Sequence, residues 1–342
     1  MFKQEKIAKS LYSELTNYIS EKKINAKSEL EGAGVHWNCI SKSENASVSI
    51  YSCDVSYMAN NKGFNEEFIV SFFSENDEIC CGRSYNRENV IKSVENWLLN
   101  KEKAELYTSF HFVDKGLRMI NDLEGNWLTK QPNLKSTNRI IENHGSGIIR
   151  FEIKKDNRAC WFTTTGETDE LSISFSIDEC LLFESVADNY QIAEVLNRYL
   201  ITKETISNLS KEFNWIVLND LVKAYENGNG IEGEFINSWE NISKFYQEIN
   251  EEFKSDVLSF ISDLRSKGFD KTLRAGQSLY TFILSKSRRH GLTENQQYLA
   301  FSFGRNKMII RNNKNEEIHF TKIELNSEIE KLLNSLNKQQ IE

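Results

Sequence analysis

Alternating apolar and polar positions along the chain predict β-strands. Runs of β-branched and aromatic residues, bounded by Asn, Gly and Asp, indicate strands at 48–55, 68–73, 148–153 and 171–175. Short links cannot carry a parallel crossover, which needs about a dozen residues or more, so we expect antiparallel meanders. This pattern disfavours a doubly wound nucleotide-binding fold.

A second pattern, with apolar residues at the spacing of one helix face, dominates the segment 203–290 and predicts a long helical stretch. The Gly-rich segment 227–233 within it is the strongest candidate for a hinge or boundary. The segment 126–138, which contains the single proline Pro132, is a weaker candidate. The chain is therefore expected to be modular.

The two patterns recur together as an internal repeat. Laid over each other without a gap, the first two copies match at apolar positions, with Phe73 on Phe175 and Trp97 on Tyr199. A looser third copy places Phe303 where the first has Phe73. Positions recur rather than identities, so shared fold geometry explains the matches as well as duplication does.

Each copy is expected to open with an amphipathic helix, because residues 278–281 repeat the Ser-Leu-Tyr pattern found at 10–13. The predicted fold class is α+β, with repeated α-β-β-β-α units, antiparallel meander sheets flanked by helices, and a long helical connector before the last unit. The predicted domains are a first α/β-meander unit at 1–127, a second β-meander and helix unit at 139–204, a helical connector at 205–268 and a basic third unit at 269–342.

Composition fits a folded chain with more than one core. At 342 residues, with 39% hydrophobic and 11% aromatic residues, the chain has material for two or three compact units. Charges interrupt the N-terminal segment, and no run approaches about eighteen apolar residues, so we expect no signal peptide and no membrane span. The six cysteines form no Cys-x-x-Cys pair, which predicts reduced core thiols and a cytoplasmic location.

Charge is distributed unevenly along a chain that is acidic as a whole. The formal net charge is -8, whereas the segment 265–322 contains twelve Lys and Arg against four Asp and Glu. Aromatic residues are interleaved with these cations, a combination that suits phosphates and nucleic-acid bases. The predicted binding residues are Arg274, Lys286, Arg288, Arg289, His290, Arg305, Lys307 and Arg311.

Simpler interpretations compete with a binding site in this basic segment. The run from Lys286 to Leu292 is typical of a helix C-terminus, where cations complement the macrodipole and Gly291 suits the left-handed conformation. The later cations alternate beside a predicted hairpin and would give one solvated strand face. An acidic partner, or the chain's own acidic part, would neutralise the same charges.

Candidate catalytic groups are few. Glu152 and Lys154 have the Glu-x-Lys spacing of metal-dependent nucleases, in which the carboxylate binds a metal and the lysine orients water. Alternating charge on an exposed strand face produces the same spacing. The five histidines lack HxH, HxxxH and HExxH spacing, and the sequence has no P-loop and no Gly-x-Ser-x-Gly elbow. We therefore expect no metal site and no cofactor, and favour a non-enzyme.

The leading hypothesis is a non-enzymatic interaction or adaptor protein with a protein partner and no membrane partner. Its order of elements is similar to that of small bacterial secretion chaperones, which hold peptides on a sheet flanked by helices. The second hypothesis is a nucleic-acid-binding accessory protein of a mobile-element or phage-defence system, which holds DNA or RNA on the basic third unit. A metal-dependent nuclease that uses Glu152 and Lys154 ranks third.

Overall fold

The chain forms two compact units, Met1–Glu204 and Thr205–Glu342. The four domains expected from the sequence are a finer division, which stays a prediction. The computed structural model describes residues 3–33, 36–55, 65–143, 149–163, 171–187, 189–289 and 296–341.

In the first part of the first unit, one helix precedes five strands and two helices follow them. These elements are α1 (Lys3–Glu21), β1 (Lys27–Ala33), β2 (His36–Lys42), β3 (Ala46–Asp54), β4 (Glu66–Ser74), β5 (Asp77–Ser84), α2 (Arg87–Asn100) and α3 (Lys103–Ser109). The strands pair antiparallel in sequence order. Leu11 of α1 and Trp97 of α2 share one core with Ile50 and Phe72, so both helices cover the same face of the sheet.

The second part of the first unit repeats this order. Its elements are α4 (Lys115–Asp122), β6 (Asn138–Asn143), β7 (Ile149–Lys155), β8 (Arg158–Thr163), β9 (Leu171–Ile177), β10 (Cys180–Ala187) and α5 (Asn189–Leu196). Single turns of π-helix lie at Leu123–Trp127 and Asn197–Ile201, and 3-10 turns lie at Leu128–Lys130 and Pro132–Ser136. The five strands again pair with their sequence neighbours.

The second unit places four helices before its sheet and one after it. Its elements are α6 (Ile206–Leu209), α7 (Asp220–Glu226), α8 (Gly230–Glu248), α9 (Lys254–Ser266), a 3-10 turn (Phe269–Lys271), β11 (Arg274–Ser278), β12 (Thr281–Ser285), β13 (Tyr298–Gly304), β14 (Lys307–Asn312), β15 (Glu317–Phe320) and α10 (Ser327–Asn337). Trp239, Phe260 and Leu333, from three different helices, share one core with Phe282 and Phe301 of the sheet. All three helices therefore pack on the same sheet face.

The predicted fold class is confirmed, because the described residues form helix-flanked antiparallel meanders of an α+β protein. Each sheet has five strands among the described residues, whereas the expected unit has three. The added strands of the first sheet are β1 and β2, and β1 has no buried residue. Because its apolar positions are few, the period-two signal there is weak.

The register of the repeat differs by one residue from the gap-free comparison. Phe72, not Phe73, corresponds to Phe175, because Phe72 packs edge-on against Trp97 at 6.0 Å and Phe175 packs edge-on against Tyr199 at 5.1 Å. Trp97 and Tyr199 each donate a hydrogen bond to the carbonyl that follows the packed phenylalanine, at 3.0 and 2.8 Å. Helices α2 and α5 align at the expected offset, whereas the strands before them are displaced by one residue. The cause is that the second copy has one residue fewer between its last strand and the helix that follows.

The third copy differs more strongly from its prediction. Residues 278–281, expected in a helix, form the tight turn that joins β11 to β12, and the helical connector ends at Ser266. Phe303 lies on the third strand of its sheet, whereas Phe73 lies on the fourth. The cause is the short apolar run of β12, which fits a helix and a strand equally well until tertiary packing decides.

The Gly-rich segment 227–233 contains the tight connection between α7 and α8 and the first turn of α8, within the second unit. Gly228 has a φ of +81°, a conformation that favours glycine. A Cβ on Gly233 would lie 2.4 Å from the Cβ of Ala224, so glycine permits the close approach of the two helices. The segment 126–138 lies inside the first unit.

The six cysteines are free thiols. Burial raises the pKa of Cys39 and Cys80 to about 12, which keeps both thiols protonated at neutral pH. Among the described residues, no helix has both the length and the apolar character that crossing a bilayer requires.

Candidate functional site

Three of the predicted binding residues belong to an internal charge network around Glu234. Arg288 donates to Oε1 of Glu234 at 2.9 and 3.1 Å, and Arg289 donates to Oε2 at 2.5 Å. The carboxylate is 3% exposed, and it also accepts the hydroxyl of Tyr225. Arg274 donates to the carbonyl oxygen of Arg288 at 2.7 Å. These contacts join α7, α8 and the segment that follows β12.

The structure contradicts the interpretation of this run as a helix C-terminus. Residues 286–289 directly follow β12 and are not helical. Arg288 and Arg289 therefore bind a buried carboxylate rather than complementing a helix dipole. The predicted site residue His290, with Gly291 and Leu292, lies outside the described residues.

Lys286 is a buried cation without a carboxylate partner in the described part of the chain. Its Nζ donates to the carbonyl oxygen of Thr272 at 3.0 Å and to Oδ1 of Asn337 at 3.3 Å. Burial lowers the pKa of this amine, because the charged form loses hydration. Lys286 thus contributes its charge to hydrogen bonds inside the second unit.

Of the three remaining cations, Arg305 lies in the turn between β13 and β14, and Lys307 and Arg311 lie on β14. Arg305 is highly exposed and lies 3.5 Å from Glu252, and Lys307 is exposed and makes no ion pair with a described residue. Arg311 donates to Glu317 on the neighbouring strand β15. The seven described residues of the predicted set therefore do not form one basic face, since they divide between internal and exposed positions.

Glu152 and Lys154 lie on β7, where the alternate residues Phe151 and Ile153 are buried. Both side chains consequently project from the other face of the sheet. The Nζ of Lys154 lies 3.9 Å from a carboxylate oxygen of Glu179. Across the described ranges, no group of three or more His, Cys, Asp or Glu side chains is placed to hold a metal ion.

Among the large apolar side chains of the described residues, the most exposed one lies in a turn that the sequence pattern did not predict. Leu279, in the turn between β11 and β12, is 85% exposed, and the adjacent Tyr280 is 55% exposed. Leu279 has a φ of +52°, a left-handed conformation that is sterically unfavourable for leucine. Exposure of an apolar side chain and backbone strain therefore coincide at one residue.

Contacts with α8 hold this turn in place. The hydroxyl of Tyr246 donates to the carbonyl oxygen of Tyr280 at 2.8 Å, and the rings of Phe245 and Tyr280 lie 6.2 Å apart. Burial raises the pKa of Tyr246, so its hydroxyl keeps the proton that it donates. These contacts with α8 therefore hold the exposed turn in one position.

A second turn lies at the same end of the sheet. Because β12 pairs antiparallel with β13, the turn between β13 and β14 lies beside the turn between β11 and β12. Two exposed cations therefore accompany the two exposed apolar side chains. We call this surface the hairpin end and define it by Leu279, Tyr280, Arg305 and Lys307.

A cleft of about 490 Å³ lies between α7 and α8. Its apolar lining comes from Leu221, Ala224 and Ile236. Its polar lining includes acidic and amide side chains, which are Asp220, Glu232, Glu240, Asn227, Asn229 and Asn237. We call it the α7–α8 cleft.

In the described part of the chain, three antiparallel meanders flanked by helices define an α+β protein of repeated sheet units. No protein-family model matches the chain, and no curated protein and no solved structure matches it. The hairpin end and the α7–α8 cleft are the surface features from which a function can be argued.

Proposed function

We propose that the chain is a non-enzymatic interaction or adaptor protein that binds a protein partner through its hairpin end. The observation that carries this proposal is the conformation of Leu279, which is 85% exposed at a positive φ. A left-handed backbone conformation costs a leucine about 1–2 kcal/mol. In addition, an exposed leucine side chain lacks the stabilisation that burial would give it. Strain of this kind is concentrated at ligand-contacting sites.

The hairpin end has the properties of a binding anchor. Tyrosine and arginine are enriched among the residues that dominate interface energies, and Tyr280 and Arg305 stand beside Leu279. The hydrogen bond from Tyr246 fixes the turn before any partner arrives. A fixed anchor loses little conformational entropy on binding, which favours affinity.

Charge favours a protein partner over nucleic acid at this surface. Affinity for nucleic acid grows with the number of cations that neutralise phosphates. Arg288, Arg289 and Lys286 bind groups within the second unit, so the described cations of the predicted set that the hairpin end exposes are Arg305 and Lys307. Two cations are suited to orienting an acidic protein surface rather than to holding a polyanion.

The test is capture from an extract of the native host by tagged protein, with and without nuclease. We compare the wild-type chain with a hairpin variant carrying Leu279→Asp and Tyr280→Ser. The expected result is a protein partner that survives nuclease treatment and is lost with the hairpin variant. Leu99→Asp is the matched control, because Leu99 is 57% exposed on α2 of the other unit.

Two results would count against the proposal. Equal capture by the wild-type chain and the hairpin variant would remove the hairpin end from consideration. Loss of the partner on nuclease treatment, with capture that falls steeply as salt rises, would instead indicate nucleic-acid binding. A photo-crosslinking amino acid at position 280 identifies the contacted protein directly.

A further inference from the structure

We infer that two copies of this chain pair edge to edge through β6 and form one antiparallel sheet that is continuous across both copies. The inference goes beyond the proposed function, because β6 belongs to the first unit and the hairpin end belongs to the second. β6 is the last strand of the sheet β6–β10. An edge strand directs every second N–H and C=O away from its sheet, so it can pair with a further strand.

Two isoleucines make this edge apolar on both faces. Ile140 is 49% exposed, and the adjacent Ile141 is exposed to a similar degree. Adjacent residues of a strand point to opposite faces of the sheet. Ile140 lies opposite Glu152 of β7, and Ile141 lies opposite the buried Phe151. A strand that pairs with β6 would therefore cover an apolar side chain on each face.

Side-chain hydrogen bonds protect two other edge strands against such pairing. The N–H of Asp114 donates to the carbonyl oxygen of Cys81 on β5 at 2.6 Å, and its carboxylate accepts the N–H of Cys81 at 2.9 Å. On β11, the N–H of Ala275 donates to the hydroxyl of Ser238 at 2.9 Å, which places α8 beside that edge. Covering an edge with another part of the chain is a common protection.

The remaining described edges are charged, short or irregular. β1 has the exposed charged residues Lys27, Glu29 and Glu31, and β15 has only four residues. The register of β10 against β9 shifts between Leu181 and Phe183, and such a bulge disfavours pairing. β6 pairs with β7 without a shift. Among the described edge strands, β6 alone combines a regular register with exposed isoleucines on both faces.

The charges of β6 are balanced within one copy, so they do not select a charged partner. Arg139 donates to Glu124 at 2.9 Å and to the carbonyl oxygen of Leu134 at 3.2 Å. Glu142 lies 3.9 Å from Arg150. A strongly acidic or basic segment therefore gains little at this edge, whereas a second copy presents a strand that is equally balanced.

Two-fold symmetry selects the register of the pairing. Opposing residues share one face of the joined sheet, so a symmetric antiparallel pair must centre on a single residue. Centring on Ile140 places it opposite Ile140 of the second copy and places Asn138 opposite Glu142, with no like charges opposed. Centring on Ile141 would place Glu142 opposite Ile140, where the carboxylate loses hydration. The edge is thus complementary to itself in one register.

This pairing is isologous and closes after two copies. A dimer carries one hairpin end for each copy, so a partner that offers two sites would be bound with increased avidity. The contact is a single strand pairing and is smaller than a standard interface. We therefore expect a dissociation constant between about 1 μM and 1 mM.

Sedimentation velocity of the full chain, at concentrations up to about 1 mM, tests the pairing. The wild-type chain is expected to show a monomer–dimer equilibrium that stops at the dimer. Ile140→Lys places two like charges opposite each other across the symmetry axis, so it is expected to raise the dissociation constant at least about tenfold. Circular dichroism checks that the variant folds.

Val186→Lys is the matched control. Val186 is 48% exposed on β10, the other edge strand of the same sheet. The strand registers place it on the same face as Ile140. This variant is expected to dimerise like the wild-type chain.

Disulfide crosslinking tests the register. Ile140→Cys is expected to crosslink to its own copy on oxidation, because opposing Cα atoms of antiparallel strands lie about 4.5–5.5 Å apart, within disulfide reach. Glu142→Cys is expected to stay uncrosslinked alone and to crosslink when it is mixed with Asn138→Cys. The wild-type chain, which has six cysteines, gives the background.

A wild-type chain that stays monomeric at every concentration would overturn the inference, as would a dimer that Ile140→Lys leaves intact. Crosslinking of Glu142→Cys to itself, without crosslinking of Ile140→Cys, would contradict the symmetric pairing. A chain that is monomeric alone but captures an extended segment of another protein through Ile140 would also overturn it, and would assign the edge to that protein. These results are independent of capture by the hairpin end, which the hairpin variant measures.

Discussion

The guanidinium of Arg288 lies 2.9 Å from Oε1 of Glu234, a carboxylate that is almost fully buried. Arg289 occupies the second carboxylate oxygen at 2.5 Å, so both oxygens of one anion are held by cations from a single segment. A buried carboxylate needs such partners, because an unpaired charge in the interior is costly. The two arginines thus stabilise the second unit from within.

Reversing both charges, with Arg288→Glu and Arg289→Glu, is expected to destabilise the second unit by about 2–3 kcal/mol. Breaking a buried ion pair costs about 3–5 kcal/mol, and partial exposure of the guanidinium groups reduces that figure. Urea unfolding measures the change. The exposed substitution Arg305→Glu is the control and should leave the unfolding midpoint unchanged, whereas an unaltered double variant would contradict the network.

Leu279→Gly is expected to stabilise the second unit by about 1 kcal/mol. Glycine adopts positive φ without steric cost, so the substitution removes the strain of a leucine at +52°. The denaturation midpoint should rise while the denaturant dependence stays constant. Tyr280→Gly is the control, because the described positive-φ residues do not include Tyr280; an equal gain from both substitutions would indicate that strain is not the cause.

Lys286→Met is expected to change the pH dependence of stability. Burial lowers the pKa of Lys286 in the folded chain, so the unfolded chain binds this proton more tightly. The resulting cost to stability is fully present below the pKa that Lys286 has in the folded chain, and it decreases as the pH rises through that pKa. The wild-type chain should therefore gain stability relative to Lys286→Met between pH 7 and about pH 10. Parallel unfolding curves at the two pH values would contradict this.

Tyr107→Phe is expected to flatten the alkaline pH dependence of the first unit. Burial, together with the hydrogen bond to Asp114, raises the pKa of Tyr107 to about 12. A raised folded pKa contributes stability that is present below the ordinary value of 10.0 and is lost as the pH rises toward 12. The stability of the variant should therefore not fall in this pH range. At neutral pH the variant is expected to be about 1 kcal/mol less stable than the wild-type chain, because it cannot form the hydrogen bond to Asp114. Unfolding at pH 8 and pH 11 measures both effects, and Tyr12→Phe is the control.

The helix-flanked meanders were predictable because buried and half-buried residues alternate strictly along β3, which is the period of a strand with one covered face. The strands β11 and β12 were not predictable in the same way. Their turn contains Leu279 and Tyr280 in place of the Asn-Gly or Asp-Gly pair that signals a two-residue hairpin. The short apolar run Phe282–Leu284, bounded by Thr281 and Ser285, was the available signal for a strand, and it fits a helix as well.

The candidate site was less predictable than the fold. Glu234 lies 54 residues from Arg288 in sequence, and its burial depends on the packing of α7 against α8. The sequence of the basic segment therefore predicted an exposed binding surface. In the structure, its two central arginines instead pair with a carboxylate on α8, an earlier helix. The exposure of Leu279 could not be predicted either, because the sequence placed this residue in a helix, where an apolar side chain is expected to face a core.

Within the described sheets, every strand pairs only with strands adjacent to it in sequence. No strand pairing has to wait for a distant part of the chain, so the loops that close are short and cost little entropy. Synthesis releases the N-terminal part first, and the first sheet can be complete before the basic segment has left the ribosome. The order of translation and the order of folding can therefore coincide in this protein.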